Sequence, residues 1–171
     1  MIRILKSGLL VSVFALLSGC GFTPVYSGAS GAKVKRDLSS VAIRPIKDRI
    51  GQRLRNHLID TMNPAGRPAE AVYSLSIDLK EFKQILAVQK TEIATRANLS
   101  FTAIFALARR DRSGTVLNGQ STSVTSYNIL TSEYATLVAE RNARDRAVRE
   151  LSIEIANQLA IFLQRAGNTA P

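Results

Sequence analysis

The sequence predicts an α+β fold: a two-layer α/β sandwich with two helices packed on one face of a four-stranded mixed β-sheet, in the order β-α-β-β-β-α. Three features predict it. Apolar and polar residues alternate over 72–80 and again over 99–107, as in strands with one buried face. They recur about every four positions over 50–62 and 148–162, as in helices with one buried stripe, and turn-forming clusters separate these stretches. Elements with a single apolar face each bury it most economically in two layers.

The chain begins with a segment outside that pattern. Arg3 and Lys6, an apolar run from Leu9 to Leu17, and Leu17-Ser18-Gly19-Cys20 compose a bacterial lipoprotein signal, which assigns 1–19 to a signal peptide and makes Cys20 the first mature residue. The run is shorter than the roughly 20 residues that span a bilayer. A small Gly19 lets the peptidase approach the backbone, and the Cys20 thiol is the nucleophile that takes the diacylglycerol, an N-acyl chain following. No cofactor beyond these lipids is expected. Cys20 is the only cysteine, so no internal disulfide staples the fold. Loss of Arg3 and Lys6 lowers the formal charge from +10 by two, to +8. A lipid-anchored envelope protein meets no nucleic acid, which leaves acidic lipid head groups or an acidic protein as targets, beside the plainer reading of a basic surface that only gives solubility. Residues 20–37, rich in Gly and Ser over 21–31, read as the lipidated Cys and a flexible tether, and 38–171 as a single domain.

Within that domain, Leu38 to Ile46 is a short β-branched run ended by Pro45, suited to an edge or terminal strand. Asp48 can cap a helix carrying Ile50, Leu54, Leu58 and Met62, which Asn63-Pro64-Ala65-Gly66 stops. The clearest strand follows, with Tyr73, Leu75, Ile77 and Leu79 on one side and Ser74, Ser76, Asp78 and Lys80 on the other. After a polar stretch, Leu99, Phe101, Ala103, Phe105 and Leu107 line the inner face of the next strand, and 110–114 turns a hairpin. The fourth strand, Val116 to about Tyr127, is so rich in Ser and Thr that it reads as wetted on one side. Thr131 or Ser132 then caps a helix reaching about Ala166, roughly 50 Å long, which must kink or overhang the sheet. Its Glu140–Arg144 and Asp145–Arg149 pairs, spaced i,i+4, read as a solvated face. The first helix must cross between strands one and two, which makes them parallel if they pair.

Signals for catalysis are absent. His57, the one histidine, has no acidic or cysteine cluster beside it in sequence, and neither a phosphate-binding glycine loop nor zinc-ligand spacing occurs. Asp78 and Glu81, three apart on a strand, fall on opposite faces. The expectation is a protein that is not an enzyme and holds no metal.

Three stretches carry a resemblance: Cys20-Gly21-Phe22-Thr23-Pro24-Val25-Tyr26 after the signal, Arg49-Ile50-Gly51-Gln52-Arg53-Leu54-Arg55-Asn56 in the first helix, and Tyr134-Ala135 through Ala139-Glu140-Arg141 in the last. Together they resemble the LPS-assembly lipoprotein family LptE, of alphaproteobacterial type. The resemblance implies a two-layer α/β sandwich and a lipoprotein of the outer membrane that faces the periplasm. It also implies that the chain sits within the lumen of an LptD-type β-barrel, plugs it, helps assemble it and binds lipopolysaccharide. Hydroxyls on an outer sheet face would suit a polar barrel interior.

Lipopolysaccharide binding needs cations for the phosphates of lipid A, Arg above all for bidentate contact. Two clusters offer them: Lys83, Lys90 and Arg96 in the stretch between strands two and three, and Arg109, Arg110 and Arg112 at the next hairpin. The longer first loop favours Lys83 to Arg96, although ordinary solvated turns would look the same. The rival readings are an accessory lipoprotein of an envelope phospholipid-transport system, and an envelope hydrolase with a spatially assembled polar cluster.

Overall fold

A computed structural model describes residues 28–64, 68, 70–86, 95–111 and 114–168. The expected signal peptide, Cys20, Lys90 and Arg112 lie outside the described residues. Seven elements follow one another: α1 (Gly28–Ser39), β1 (Val41–Ile43), α2 (Asp48–Met62), β2 (Tyr73–Leu86), β3 (Thr95–Arg109), β4 (Thr115–Ile129) and α3 (Glu133–Asn168). The strands form one mixed sheet in the order β1-β2-β3-β4. As expected of a helical crossover, β1 pairs parallel with β2, and the next two pairings are antiparallel.

Period-two burial sets the layers. On β3 the odd-numbered Ala97, Leu99, Phe101, Ala103, Phe105 and Leu107 are buried, while the even-numbered side chains between them are half-buried or exposed. The odd-numbered face meets α3, whose Ala143, Ala147, Leu151, Ile155 and Leu159 complete the core with Leu54 and Leu58 of α2. The even-numbered face stays open, with Phe82 67%, Val124 60% and Ile104 44% exposed.

Four expectations need correction. Residues 28–37 are not a free tether but most of helix α1, because Val34 and Leu38, four apart, bury themselves in the main core at 2% and 4% exposure. The domain thus holds three helices, and strand one shrinks to three residues. Asp48 does not cap α2: it is the first helical residue, at φ +64°, and Lys47 occupies the cap position without a side-chain bond. The third is a correction in part: β4 is wetted on one side as expected, but three of its five hydroxyl residues, Ser121, Ser123 and Thr125, lie on the buried face beneath α3. Two of these hydroxyls bond inside the fold: Thr125 Oγ1 donates to Ala143 O (3.1 Å) and Ser123 Oγ to Glu150 Oε2 (2.6 Å). The open face of β4 carries Thr122, Val124 and Ser126 instead.

The fourth correction concerns the pairs on α3. Glu140 and Arg144 pair at 2.7 Å, but they close onto the sheet rather than face solvent, and Asp145 reaches Arg53 of α2. Ser132 does cap α3, its Oγ accepting from Ala135 N–H at 3.3 Å. With 36 residues the helix spans about 54 Å and overhangs the core, leaving Tyr134 76% exposed in its first turn.

Candidate functional site

Strand length decides where the expected cations stand. β2 runs to Leu86 and β3 starts at Thr95, so Lys83 and Arg96 belong to strands and not to a loop. Arg109 ends β3 and Arg110 starts the following hairpin. At about 3.3 Å per residue, Lys83, opposite Leu99, stands about 33 Å along the sheet from Arg109, and Arg96 about 46 Å from Arg110. They cannot grip one phosphate group together.

Lys83 is held inside an ion network. Its Nζ lies 3.1 Å from Glu140 Oε1 and 5.4 Å from the centre of the Tyr127 ring. Arg144 pairs with Glu81 at 2.8 Å and with Glu140 at 2.7 Å. Glu81 and Lys83 occupy odd, inward positions beyond Leu79, where the apolar alternation of β2 ends, so charges continue the face that leucines began. The Tyr127 hydroxyl, which is buried and makes no well-formed hydrogen bond, is the strongest influence holding the Lys83 ammonium above the ordinary lysine value. Partial burial opposes it and Glu140 reinforces it. Desolvation alone would raise the Glu140 carboxyl, but Lys83 and Arg144 together outweigh it and hold that carboxyl below its usual range. The network locks the far end of the sheet to the overhanging start of α3. It satisfies its own charges and leaves Lys83 little to offer a ligand.

The opposite end differs. Arg109 is half-buried, its Nε 2.9 Å from Asp111 Oδ1 in an ion pair without a well-formed hydrogen bond, and its guanidinium lies 6.0 Å from the Tyr73 ring. Arg110 instead faces a cleft of about 550 Å³ with Arg44, Arg55, Asn63 and Ser74. Three elements build it. Arg44 leaves β1, Arg55 comes from α2 and donates through Nε to Ile43 O (3.2 Å), and Arg110 arrives from the β3–β4 hairpin, its N–H bonded to Val72 O (2.9 Å). The parallel β1–β2 register brings them together, since Val41 sits opposite Tyr73 and Tyr73 opposite Arg109. No carboxylate lines this cleft, and none of the three arginines is ion-paired among the described residues. Asn63, 3% exposed, donates through Nδ2 to Val41 O (2.9 Å) while its Oδ1 has no partner. The arrangement can take an anion on the guanidinium groups of Arg44, Arg55 and Arg110.

Sequence reasoning found Arg110 but missed Arg44 and Arg55, which lie 66 and 55 positions away and meet it only through the sheet register. A second basic cleft, with Arg49, Arg53, Arg141 and Arg144, is largely neutralised, for Arg53 pairs with Asp145 and Arg144 with two glutamates. His57 is half-buried on α2, and no group of three potential metal ligands gathers among the described residues.

Of the stretches that carried the resemblance, the two among the described residues prove structural, and 20–26 lies outside them. Gly51 packs against Ile46, where a Cβ would come within 2.7 Å of Ile46 Cγ2, and Gln52 donates to Ile46 O. Arg53 and Arg55 tie α2 to α3 and β1, and Glu140 is the hub of the ion network.

Comparison with known proteins follows the same line. A family model described as "LptE: Lipopolysaccharide-assembly" matches residues 38–162. Among solved structures, a candidate lipoprotein from Caulobacter crescentus CB15 superimposes with a TM-score of 0.64 at 22% identity, covering 77% of this chain and 96% of that one. A minor lipoprotein from Acinetobacter baumannii superimposes with a TM-score of 0.58 at 15% identity, covering 71% and 90%. At such identities the likeness speaks for the fold alone. No curated protein matches the sequence significantly.

Proposed function

Because the chain belongs to the LptE family of lipopolysaccharide-assembly proteins, we propose that it is anchored through lipids on Cys20 in the outer membrane. There it plugs and helps assemble an LptD-type β-barrel and binds lipopolysaccharide on its way to the outer leaflet. It works by binding and not by catalysis. The observation that carries the lipopolysaccharide reading is the cleft of Arg44, Arg55 and Arg110: three unneutralised guanidiniums from three elements, with no carboxylate in the lining. Phosphates of lipid A match that chemistry. Of the two clusters expected from sequence, this reading favours the one containing Arg110 over Lys83 and Arg96.

The test compares Arg44→Gln/Arg110→Gln with Lys83→Met for binding of purified lipopolysaccharide. Loss of two charge-assisted contacts predicts an affinity about tenfold or more lower for the double variant, with its fold intact. Lys83→Met should bind as the parent does and melt earlier. A double variant with parental affinity overturns the site. Partnership is tested separately, by pull-down of the full-length lipidated protein from its own membranes in mild detergent. A stoichiometric large outer-membrane barrel supports the reading, and an inner-membrane transporter in its place overturns it in favour of an accessory role in phospholipid transport.

A further inference from the structure

The sheet ends at β4, and the middle of that edge has no backbone partner among the described residues. Backbone direction alternates with period two along a strand, and two bonds fix its phase here: Arg44 N–H donates to Leu75 O across β1 and β2, and Arg110 N–H donates to Val72 O across β2 and β3. Odd residues of β2 therefore turn their backbone groups toward β1 and even ones toward β3. Carried through the registers Ser76↔Ala106 and Ala103↔Ser121, the odd residues of β4 bond β3, and Gln120, Thr122, Val124 and Ser126 turn theirs outward. Side chains of α3 occupy the two ends of this row: Gln158 Nε2 donates to Gln120 O (3.4 Å) and Arg146 Nη2 to Ser126 O (3.1 Å). Between them, Thr122 and Val124 have no backbone partner on the outward side among the described residues.

Natural sheets blunt such edges with charges, proline or brevity. Those devices guard the other edge, where β1 has three residues and Pro45 follows. β4 has none of them, since Thr115–Ile129 is 15 residues long and contains no charged residue and no proline. Beside the free row lies a cleft of about 400 Å³ between β4 and α3, with Thr122, Ser123, Leu151, Glu150 and Glu154 in its walls. Arg146, Glu150, Glu154 and Gln158 are spaced four apart, so the stripe that closes the ends of the edge also places two carboxylates along its middle. Glu150 accepts from Ser123 and Glu154 from Gln158, and neither is ion-paired among the described residues.

We propose that β4 accepts a fifth strand: an extended segment of another protein, hydrogen-bonded to Thr122 and Val124, whose alternate Lys or Arg side chains meet Glu150 and Glu154. Main-chain bonds supply the attachment and the carboxylates the choice of sequence, since side chains of an added strand alternate between the open sheet face and the side of α3. A cationic occupant on a mature chain of formal charge +8 (+10 less Arg3 and Lys6) needs this local complementarity, because the field of the whole molecule repels it. A second copy of this chain fits less well: antiparallel pairing about Ser123 would bring the two Glu150 carboxylates together.

The test uses the full-length lipidated protein in detergent micelles and three labelled synthetic peptides. One alternates Lys and Thr, the second is the same peptide N-methylated at every second backbone nitrogen, and the third replaces Lys by Glu. Fluorescence anisotropy reads binding, and hydrogen exchange reads the amides of Thr122 and Val124. The expected result is saturable binding of the first peptide alone, with exchange of those two amides slowed about tenfold or more. Glu150→Gln/Glu154→Gln should weaken that binding about tenfold. Thr122→Pro, which removes an outward N–H and the exposed hydroxyl contact with Thr102 Oγ1 (3.5 Å) but no ladder bond, should abolish it in a folded protein. Equal binding of the N-methylated peptide, unslowed exchange at Thr122 and Val124, or concentration-dependent protection of those amides without peptide, which would mean that a second copy closes the edge, each overturns the proposal.

Discussion

Gly119 gives the tightest constraint at the scale of single residues. It stands opposite Phe105 on the buried face, and a Cβ there would collide with the ring, itself only 2% exposed and enclosed by the core. Gly119→Ala should therefore cost about 1–3 kcal/mol, read as an earlier urea midpoint with an unchanged m-value, because an overpacked core must shift backbone or rotate an aromatic ring. Leu38 tests another residue whose role was hidden. Its side chain, 4% exposed, joins α1 to the core, so Leu38→Ala should lose about 2–5 kcal/mol. If α1 were a passive leash, that substitution would change nothing. The composition of 21–31 suggested a leash because Gly and Ser dominate it, and the two residues that matter, Val34 and Leu38, lie after that stretch and form too short a stripe to announce a helix.

Among elements, α3 and the far half of β2 depend on each other through charge. Glu140 is lowered in the folded chain relative to its ordinary value of 4.5, so its contribution to stability is complete above that pH and lost as pH falls through the lower, folded value. Parental stability should drop between pH 5 and 3 more steeply than that of Glu140→Gln, measured by thermal melting across that range. Near neutrality the variant should already melt earlier, because Lys83 and Arg144 lose their shared acceptor. Strand patterning on β3 was legible in the sequence, since five inner residues alternate without error and all are buried. Two buried hydroxyls of β4 were misread for a definite reason: Ser and Thr signal water only when no backbone carbonyl or carboxylate waits for them, and Ala143 O and Glu150 come from an element that begins after β4 ends. Period two reveals which residues share a face but not which face is covered.

For the molecule as a whole, the meander of β2, β3 and β4 separates two chemically different ends. One is closed by the Lys83–Glu140–Arg144–Glu81 network, the other open at Arg44, Arg55 and Arg110. Raising salt should therefore act on the two ends differently: under the proposed function, lipopolysaccharide affinity should fall steadily with ionic strength because exposed guanidiniums are screened, while the melting temperature should move little because the ion network is partly buried. Titrations at several salt concentrations, run beside melting curves, check both. Of the candidate site, only Arg110 was legible. Its companions depend on a parallel register that pairs residue 41 with residue 73, and register is a property of two strands and the helix between them, not of either sequence segment.

Synthesis runs from the N-terminus, and α3, which completes the core, is made after the other six described elements. Leu99, Phe101 and Phe105 find their cover in Leu151, Ile155 and Leu159. While the ribosome still holds residues 151–163, some fifty residues of hairpin and an incomplete crossover stand with their apolar face uncovered. The sheet alone cannot complete the core as it emerges. Closure waits on α3, and until then the chain has the exposed surface on which chaperones act.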